Sequence, residues 1–204
     1  MDTGSAFSYG CARCGRCCIE KRIQVNPYEI AKLARGRGQG TQACRDTFTE
    51  GGTHLRQREG GACVFFDPAT GCTVHADRPL VCRLFPLGRN VSETGEVTYW
   101  RGDFDPPPSG TFGEDATVSG FLEDQGALPF MAFADAYFRW YLKASRADAE
   151  ARPGTEVPGD LLDIDTVLAA HAAHTGEAEP ETVEARAALH LRILEDLVVI
   201  SGPA

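Results

Sequence analysis

The octapeptide Cys11-Ala12-Arg13-Cys14-Gly15-Arg16-Cys17-Cys18 places four thiols within eight residues, and this density constrains the chain more than any other feature. Cysteines two residues apart let a tight turn present successive sulfurs to one centre while backbone N–H groups face them. Gly15 supplies a position that tolerates positive φ, which such a turn needs. The C-x2-C-x2-C spacing matches the first three ligands of a bacterial ferredoxin run. The fourth ligand of that run would fall on Lys21, so a remote cysteine must complete the set. The remaining cysteines are Cys44, Cys63, Cys72 and Cys82, and none follows.

Eight thiols in 204 residues must pair, ligate or be buried. The first ten residues lack the basic start and apolar run of a signal peptide, and no stretch reaches the roughly 18 apolar residues of a membrane span. The expectation is a cytosolic protein without membrane contact, in a compartment that disfavours a disulfide framework. Metal ligation is what remains. Zinc modules usually draw on two separated C-x2-C pairs or on cysteine with histidine; here Cys63, Cys72 and Cys82 stand alone. His75 forms C-x2-H with Cys72, although a lone histidine at a hairpin end is more often a surface residue. His54, His171, His174 and His190 have no cysteine neighbours and no assigned role. The side chains of adjacent Cys17 and Cys18 are expected to diverge, so that one is structural, or each serves a different metal, or one is labile. The candidate ligands are Cys11, Cys14, Cys17, Cys18, Cys63, Cys72 and Cys82, more than the four needed by one zinc or one cluster. Cys44 lies apart on a predicted helix and reads as a small buried apolar residue.

Charge divides along the same line. Residues 1–90 hold 13 Lys+Arg against 8 Asp+Glu, a net of +5, while the remainder holds 7 against 21, a net of −14. Four thiolates around zinc or a four-iron cluster leave a charge of about −2, which Arg13, Arg16, Lys21, Arg22, Arg78 and Arg83 would offset. The chain as a whole is acidic and carries no nucleic-acid motif, so nucleic acid is not an expected partner.

The pattern of elements predicts an α+β fold. Ile23–Val25 alternates as a short strand, and Asn26-Pro27-Tyr28-Glu29 reads as a helix start with a capping box. That helix ends in the glycines of 36–40; a second covers Thr41–Phe48. Gly60–Phe66 reads as a strand, Asp67–Gly71 as a turn and Cys72–Val74 as the return strand of a hairpin. The prolines around Leu80–Leu84 leave room for one helical turn. Glu96–Arg101 alternates as a strand, and Pro106–Gly110 is a rigid bend and candidate boundary. Everything beyond reads as helical: Val118–Gln125, Pro129–Lys143, Asp163–His174 and Glu181–Ile200. The stripe Phe130, Phe133, Ala134, Tyr137, Phe138, Tyr141 is expected in the core, as is Leu189, Ile193, Leu194, Leu197. No Walker loop, dinucleotide fingerprint, nucleophile elbow or H-E-x-x-H helix occurs.

The order C-x2-C-G-x-C-C, a helix beginning Asn26-Pro27-Tyr28-Glu29, then Cys63, Cys72 and Arg78-Pro79-Leu80-Val81-Cys82-Arg83-Leu84-Phe85-Pro86-Leu87-Gly88 resembles the YkgJ-type cysteine-cluster family over about residues 7–90. A weaker echo runs to about residue 142. The resemblance implies a zinc- or iron-chelating domain. Longer members carry another cysteine where this chain reads Asp103-Phe104-Asp105-Pro106, so that cysteine is lost or an aspartate or water stands in for it. Some relatives are linked to lysine N-methylation of flagellin, which implies a methyltransferase-like alternative. The expected architecture is a small irregular cysteine-rich module with a β-hairpin, residues 1–105, packed against a helical region, residues 106–204. The expected function is metal binding through an iron–sulfur cluster, 4Fe-4S in type, with a redox or electron-transfer role and an unidentified protein partner. A zinc-stabilised interaction module is the alternative of a different class.

Overall fold

A computed structural model describes residues 1–92, 94–104, 107–151 and 159–201. In chain order the first half contains β1 (Ala6–Gly10), α1 (Pro27–Gly36), α2 (Thr41–Phe48), β2 (Thr49–Glu50), β3 (His54–Leu55), β4 (Phe66–Asp67), β5 (Gly71–Cys72) and α3 (Leu80–Leu84). The second half contains β6 (Leu87–Val91), β7 (Val97–Arg101), β8 (Thr111–Thr117), α4 (Val118–Asp124), α5 (Leu128–Ala151), α6 (Ile164–Thr175) and α7 (Val183–Ser201). Short 3-10 turns sit at Arg16–Cys18, His75–Asp77 and Gly159–Leu162. The fold is α+β, with strands in two-stranded antiparallel pairs and helices dominating the C-terminal part. Contacts divide the chain into two units interleaved in sequence: Met1–Gln24 with Leu55–Phe130, and Val25–His54 with Met131–Ala204.

The first unit holds seven of the eight cysteines. β1 pairs with β8 across about a hundred residues of sequence, with Tyr9 opposite Phe112 and Gly10 opposite Thr111. Phe7 and Tyr9 alternate inward along β1, the period-2 signature of a half-buried strand. Phe7 meets Phe121 of α4 edge-on at 5.0 Å, a contact worth roughly 0.5–1.5 kcal/mol beyond burial. β6 and β7 form a five-residue hairpin from Leu87↔Arg101 to Val91↔Val97. The shorter hairpin β4–β5 pairs Phe66 with Cys72 and Asp67 with Gly71. Its turn is held by the Asp67 carboxylate, which accepts from the N–H groups of Ala69 and Thr70 at 2.8 Å each.

The second unit is helical. α1 carries the capping box read from its sequence: Asn26 Oδ1 accepts from the Glu29 N–H at 3.1 Å, and Glu29 Oε2 accepts from the Asn26 N–H at 2.8 Å. Tyr28 is fully buried, stacks on Phe133 at 4.3 Å and donates to Glu184 at 3.0 Å. The starts of α2 and α6 are tied reciprocally, since Thr41 N–H donates to Asp165 Oδ2 at 2.7 Å and Asp165 N–H donates to Thr41 Oγ1 at 3.1 Å. Buried His190 lies between the Tyr137 hydroxyl and the Leu161 carbonyl, each at 2.9 Å. The carbonyl can only accept, so Nε2 carries the proton and Nδ1 accepts from Tyr137. Burial pushes the His190 pKa down to about 4, because a charged imidazolium loses its hydration there.

Several expectations are corrected. Ile23–Val25 forms only a single bridge at Gln24, flanked by bonds from Val25 N–H to the Thr53 carbonyl and from Leu55 N–H to the Ile23 carbonyl, and Gly60–Phe66 is a set of turns with isolated bridges at Ala62 and Cys63. β8 lies in the stretch read as wholly helical, and β1 and β6 add strands the local pattern did not announce. The aromatic stripe of α5 is only partly core: Phe130 and Tyr137 are buried with Trp140, while Phe138 and Tyr141 are half exposed. On α7 the buried side chains are Val183, Ala187, His190, Leu191 and Leu194, and Leu197 faces outward. Asp105 and Pro106, where the bend begins, lie outside the described residues. Among the described residues no helix is long and apolar enough to cross a membrane.

Candidate metal centre

All eight cysteines are free thiols. Cys11 and Cys14 lie exposed on the segment that leaves β1, and the backbone then enters the 3-10 turn through Gly15. Gly15 is required twice over. Its φ of 76° is left-handed, and a Cβ there would stand 2.6 Å from the Phe66 ring. Arg13, a residue with a side chain, also takes a positive φ of 51°, so backbone strain concentrates around the thiols. Cys18 N–H closes the turn onto the Gly15 carbonyl at 2.8 Å.

Two further segments are fastened to this turn. The Cys63 N–H donates to the Cys18 carbonyl at 2.7 Å, and the Glu20 N–H donates to the Gly61 carbonyl at 2.9 Å, so buried Cys63 lies alongside Cys18. Phe66, beneath Gly15, is the cross-strand partner of Cys72. The sequence spacing from Cys18 to Cys63 and Cys72 is thus closed by backbone pairing.

The sulfurs of Cys17 and Cys18 approach to 3.8 Å. The expectation that adjacent side chains diverge is corrected here, because the 3-10 turn folds both toward the same side. Cys18 also hydrogen-bonds Cys72, and Cys63 lies within electrostatic reach of both Cys17 and Cys72. Hydrogen bonding with Cys18 holds the Cys17 thiol below its ordinary value and brings Cys72 down to about 6, the latter helped by the Val74 N–H and the Arg78 and Arg13 guanidiniums. Cys18 is raised by those same hydrogen bonds and by burial. Burial also raises Cys63. For Cys14 burial pulls upward, but the N–H of Arg16 and the N–H and hydroxyl of Ser109 together bring it below its usual value.

The basic residues divide by task. Arg78 and Arg13 act electrostatically on Cys72, as the charge pattern suggested. Arg83 instead is buried over the Phe130 ring at 3.9 Å and donates to the carbonyls of Arg78, Gln125 and Ala76. It clamps the loop around α3, which carries half-buried Cys82. Lys21 lies over Phe104 at 5.4 Å. Burial and the charges of Arg78, Arg13 and Arg83 lower the His75 pKa, and its Nδ1 faces the Arg78 guanidinium at 3.4 Å. Cys44 is fully buried on α2 in the other unit, and burial raises its thiol to about 11.

The donor chemistry suits a thiophilic metal, since two thiols poised to lose protons adjoin two more. The sulfurs are nevertheless gathered without being closed into a cage. Among the described residues no three His, Cys, Asp or Glu side chains are arranged so that they could hold a metal ion. Tyr9 and Ser109 are the polar neighbours that sequence reasoning missed. Tyr9 stands two positions before Cys11, and Ser109 directly follows Pro107 and Pro108.

Comparison with known proteins agrees with this chemistry. Residues 10–100 match the family model CxxCxxCC, described as "Putative zinc- or iron-chelating domain". No curated protein and no solved structure matches the chain. The matched residues begin just before Cys11 and end at Trp100, enclosing all seven thiols of the first unit. Over residues 10–100, somewhat under half of its length, the chain is similar to the CxxCxxCC family.

Proposed function

We propose that the first unit holds an iron–sulfur cluster through thiolates drawn from Cys11, Cys14, Cys17, Cys18, Cys63, Cys72 and Cys82, with a redox or electron-transfer role. The observation that carries this reading is the hydrogen-bonded set Cys17, Cys18 and Cys72, with Cys63 beside it. Bound there, the cluster would supply one-electron chemistry, and the protein's part is to hold and orient the thiolates. The 3-10 turn fixes Cys17 and Cys18, β5 fixes Cys72, and the Cys63 N–H bond to the Cys18 carbonyl ties the loop that carries Cys63 to that turn. Arg78 and Arg13 offset the negative charge that collects as thiols deprotonate. The support for iron–sulfur over zinc is the C-x2-C-x2-C run and the lack of a paired histidine beside it. A cytosolic setting, which keeps thiols reduced, and a protein redox partner belong to the same reading.

Zinc is the competing occupant, named beside iron in the family description, and it would make the unit a structural interaction module. An absorption spectrum of anaerobically purified protein separates the two. Broad sulfur-to-iron charge-transfer absorption with acid-labile sulfide supports the cluster; a colourless, zinc-containing protein sinks it. No observation among the described residues favours methyl transfer.

A further inference from the structure

The Tyr9 hydroxyl, in the first unit, is buried beside the thiols without an acceptor for its proton. Tyr9 is 8% exposed, and its hydroxyl is fully buried with no acceptor for its proton among the described residues. The ring is fixed from two sides, by Phe112 at 4.8 Å and by the edge of Phe85 at 6.3 Å. Gly110 closes the third side so tightly that a Cβ there would stand 2.4 Å from the phenol oxygen. What Gly110 turns toward that oxygen is its N–H. An N–H can give a hydrogen bond but cannot take one, so the phenol proton still lacks an acceptor. Leaving a hydroxyl proton buried in this state is unfavourable. A phenylalanine would fill the same space without that cost.

The groups around the hydroxyl show what would take its proton. Tyr9 lies within electrostatic reach of Cys11, Cys14 and Cys17 together. The phenol O–H is the one hydrogen-bond donor of this side chain. Cys14 already accepts from Arg16 and Ser109, and Cys17 hydrogen-bonds with Cys18. Tyr9 is therefore placed as one more donor to a set of sulfurs whose charge rises when they ligate.

We propose that Tyr9 is a positioning residue of the metal centre, donating its buried O–H to a ligating thiolate of the Cys11–Cys17 turn. This rests on the metal-binding reading above and adds the residue that orients that turn. Hydrogen bonds to ligating groups from outside the coordination sphere fix their direction and charge, and losing one typically weakens metal binding about 10–100-fold.

The test compares the full chain with Tyr9→Phe, which removes only the hydroxyl. Zinc affinity is measured by competition with a chromophoric chelator, and cobalt-substituted protein reports the sulfur-to-metal charge-transfer band. Tyr9→Phe is expected to bind zinc about 10–100-fold more weakly and to shift the cobalt band. The metal-free variant is expected to be as stable as wild type or more so in a denaturant titration. Zinc affinity within about twofold of wild type, well short of that range, with an unshifted cobalt band would overturn the role of Tyr9 alone. A metal-free variant less stable than wild type would also overturn it, by showing that the hydroxyl serves the fold instead. Failure of wild type to bind zinc, cobalt or iron would overturn this inference and the metal-binding reading together.

Discussion

Gly15 and Cys44 mark opposite ends of what a single residue contributes to this chain. Gly15 permits the left-handed turn that gathers the thiols. Gly15→Ala would place an L-residue at φ 76° and its Cβ against Phe66; the conformation alone costs about 1–2 kcal/mol. The expected outcome is a metal-free protein less stable by at least that amount in urea titration; unchanged stability would mean that the turn is not held as described. Cys44 is the thiol that should not matter for metal. It is buried in the other unit. Cys44→Ser should leave metal content unaltered while costing about 1–3 kcal/mol for a hydroxyl placed in an apolar site. Loss of metal in that variant would show that the thiols are wrongly divided. The cysteine cluster was legible from its spacing alone. Tyr9 was not, because what singles it out is a missing acceptor, and that is visible only once Phe85, Phe112 and Gly110 surround it.

Elements whose signals are local were readable, and those made by distant pairing were not. The helix after Asn26 is announced by cap, proline and glutamate within four residues, and the structure contains that capping box in full. Asn26→Ala removes the acceptor for the Glu29 N–H and should lower stability by about 1 kcal/mol, measured as a shift in the urea midpoint at constant slope. A variant as stable as wild type would contradict the capping role. β8, by contrast, reads Thr-Phe-Gly-Glu-Asp-Ala-Thr and is mostly exposed. It has no alternating apolar face, and it is a strand because β1 lies beside it. Gly60–Phe66 fails in the opposite direction. Its composition suits a strand, but Gly60 and Gly61 both take positive φ, and the backbone spends its hydrogen bonds on bridges to Ile19 and Gln57. Those bridges bring Cys63 to Cys18, so the departure from a regular strand is what builds the site. On α5 and α7 the periodicity identified the helices but misplaced part of the buried face, since His190 and Trp140 find polar partners inside and take core positions.

At the scale of the whole molecule, stability and metal binding rest on different groups. In the helical unit His190 is held neutral between Tyr137 and Leu161, with a pKa of about 4 in the folded state against roughly 6.5 when unfolded. The unfolded chain binds this proton first as pH falls. The contribution is therefore complete above about pH 6.5 and is lost progressively down to about pH 4, amounting to about 3 kcal/mol. Unfolding free energy measured across that window should fall in wild type by about that much more than in His190→Gln, which can still bridge Tyr137 and Leu161. Equal slopes would contradict the assignment. The thiol unit is tested apart from this, by what it carries. The interleaving of the two units had no local signal, because it arises only from which segments pack together.

The central claim is that the thiols joined around Cys17, Cys18 and Cys72 are a metal centre. The most direct measurement is the iron, zinc and acid-labile sulfide content of anaerobically purified and reconstituted protein, compared with the Cys17→Ser/Cys72→Ser double variant. The account predicts stoichiometric metal in wild type and its loss in a double variant that remains folded. Trace metal in wild type, or equal metal in both proteins, would contradict it.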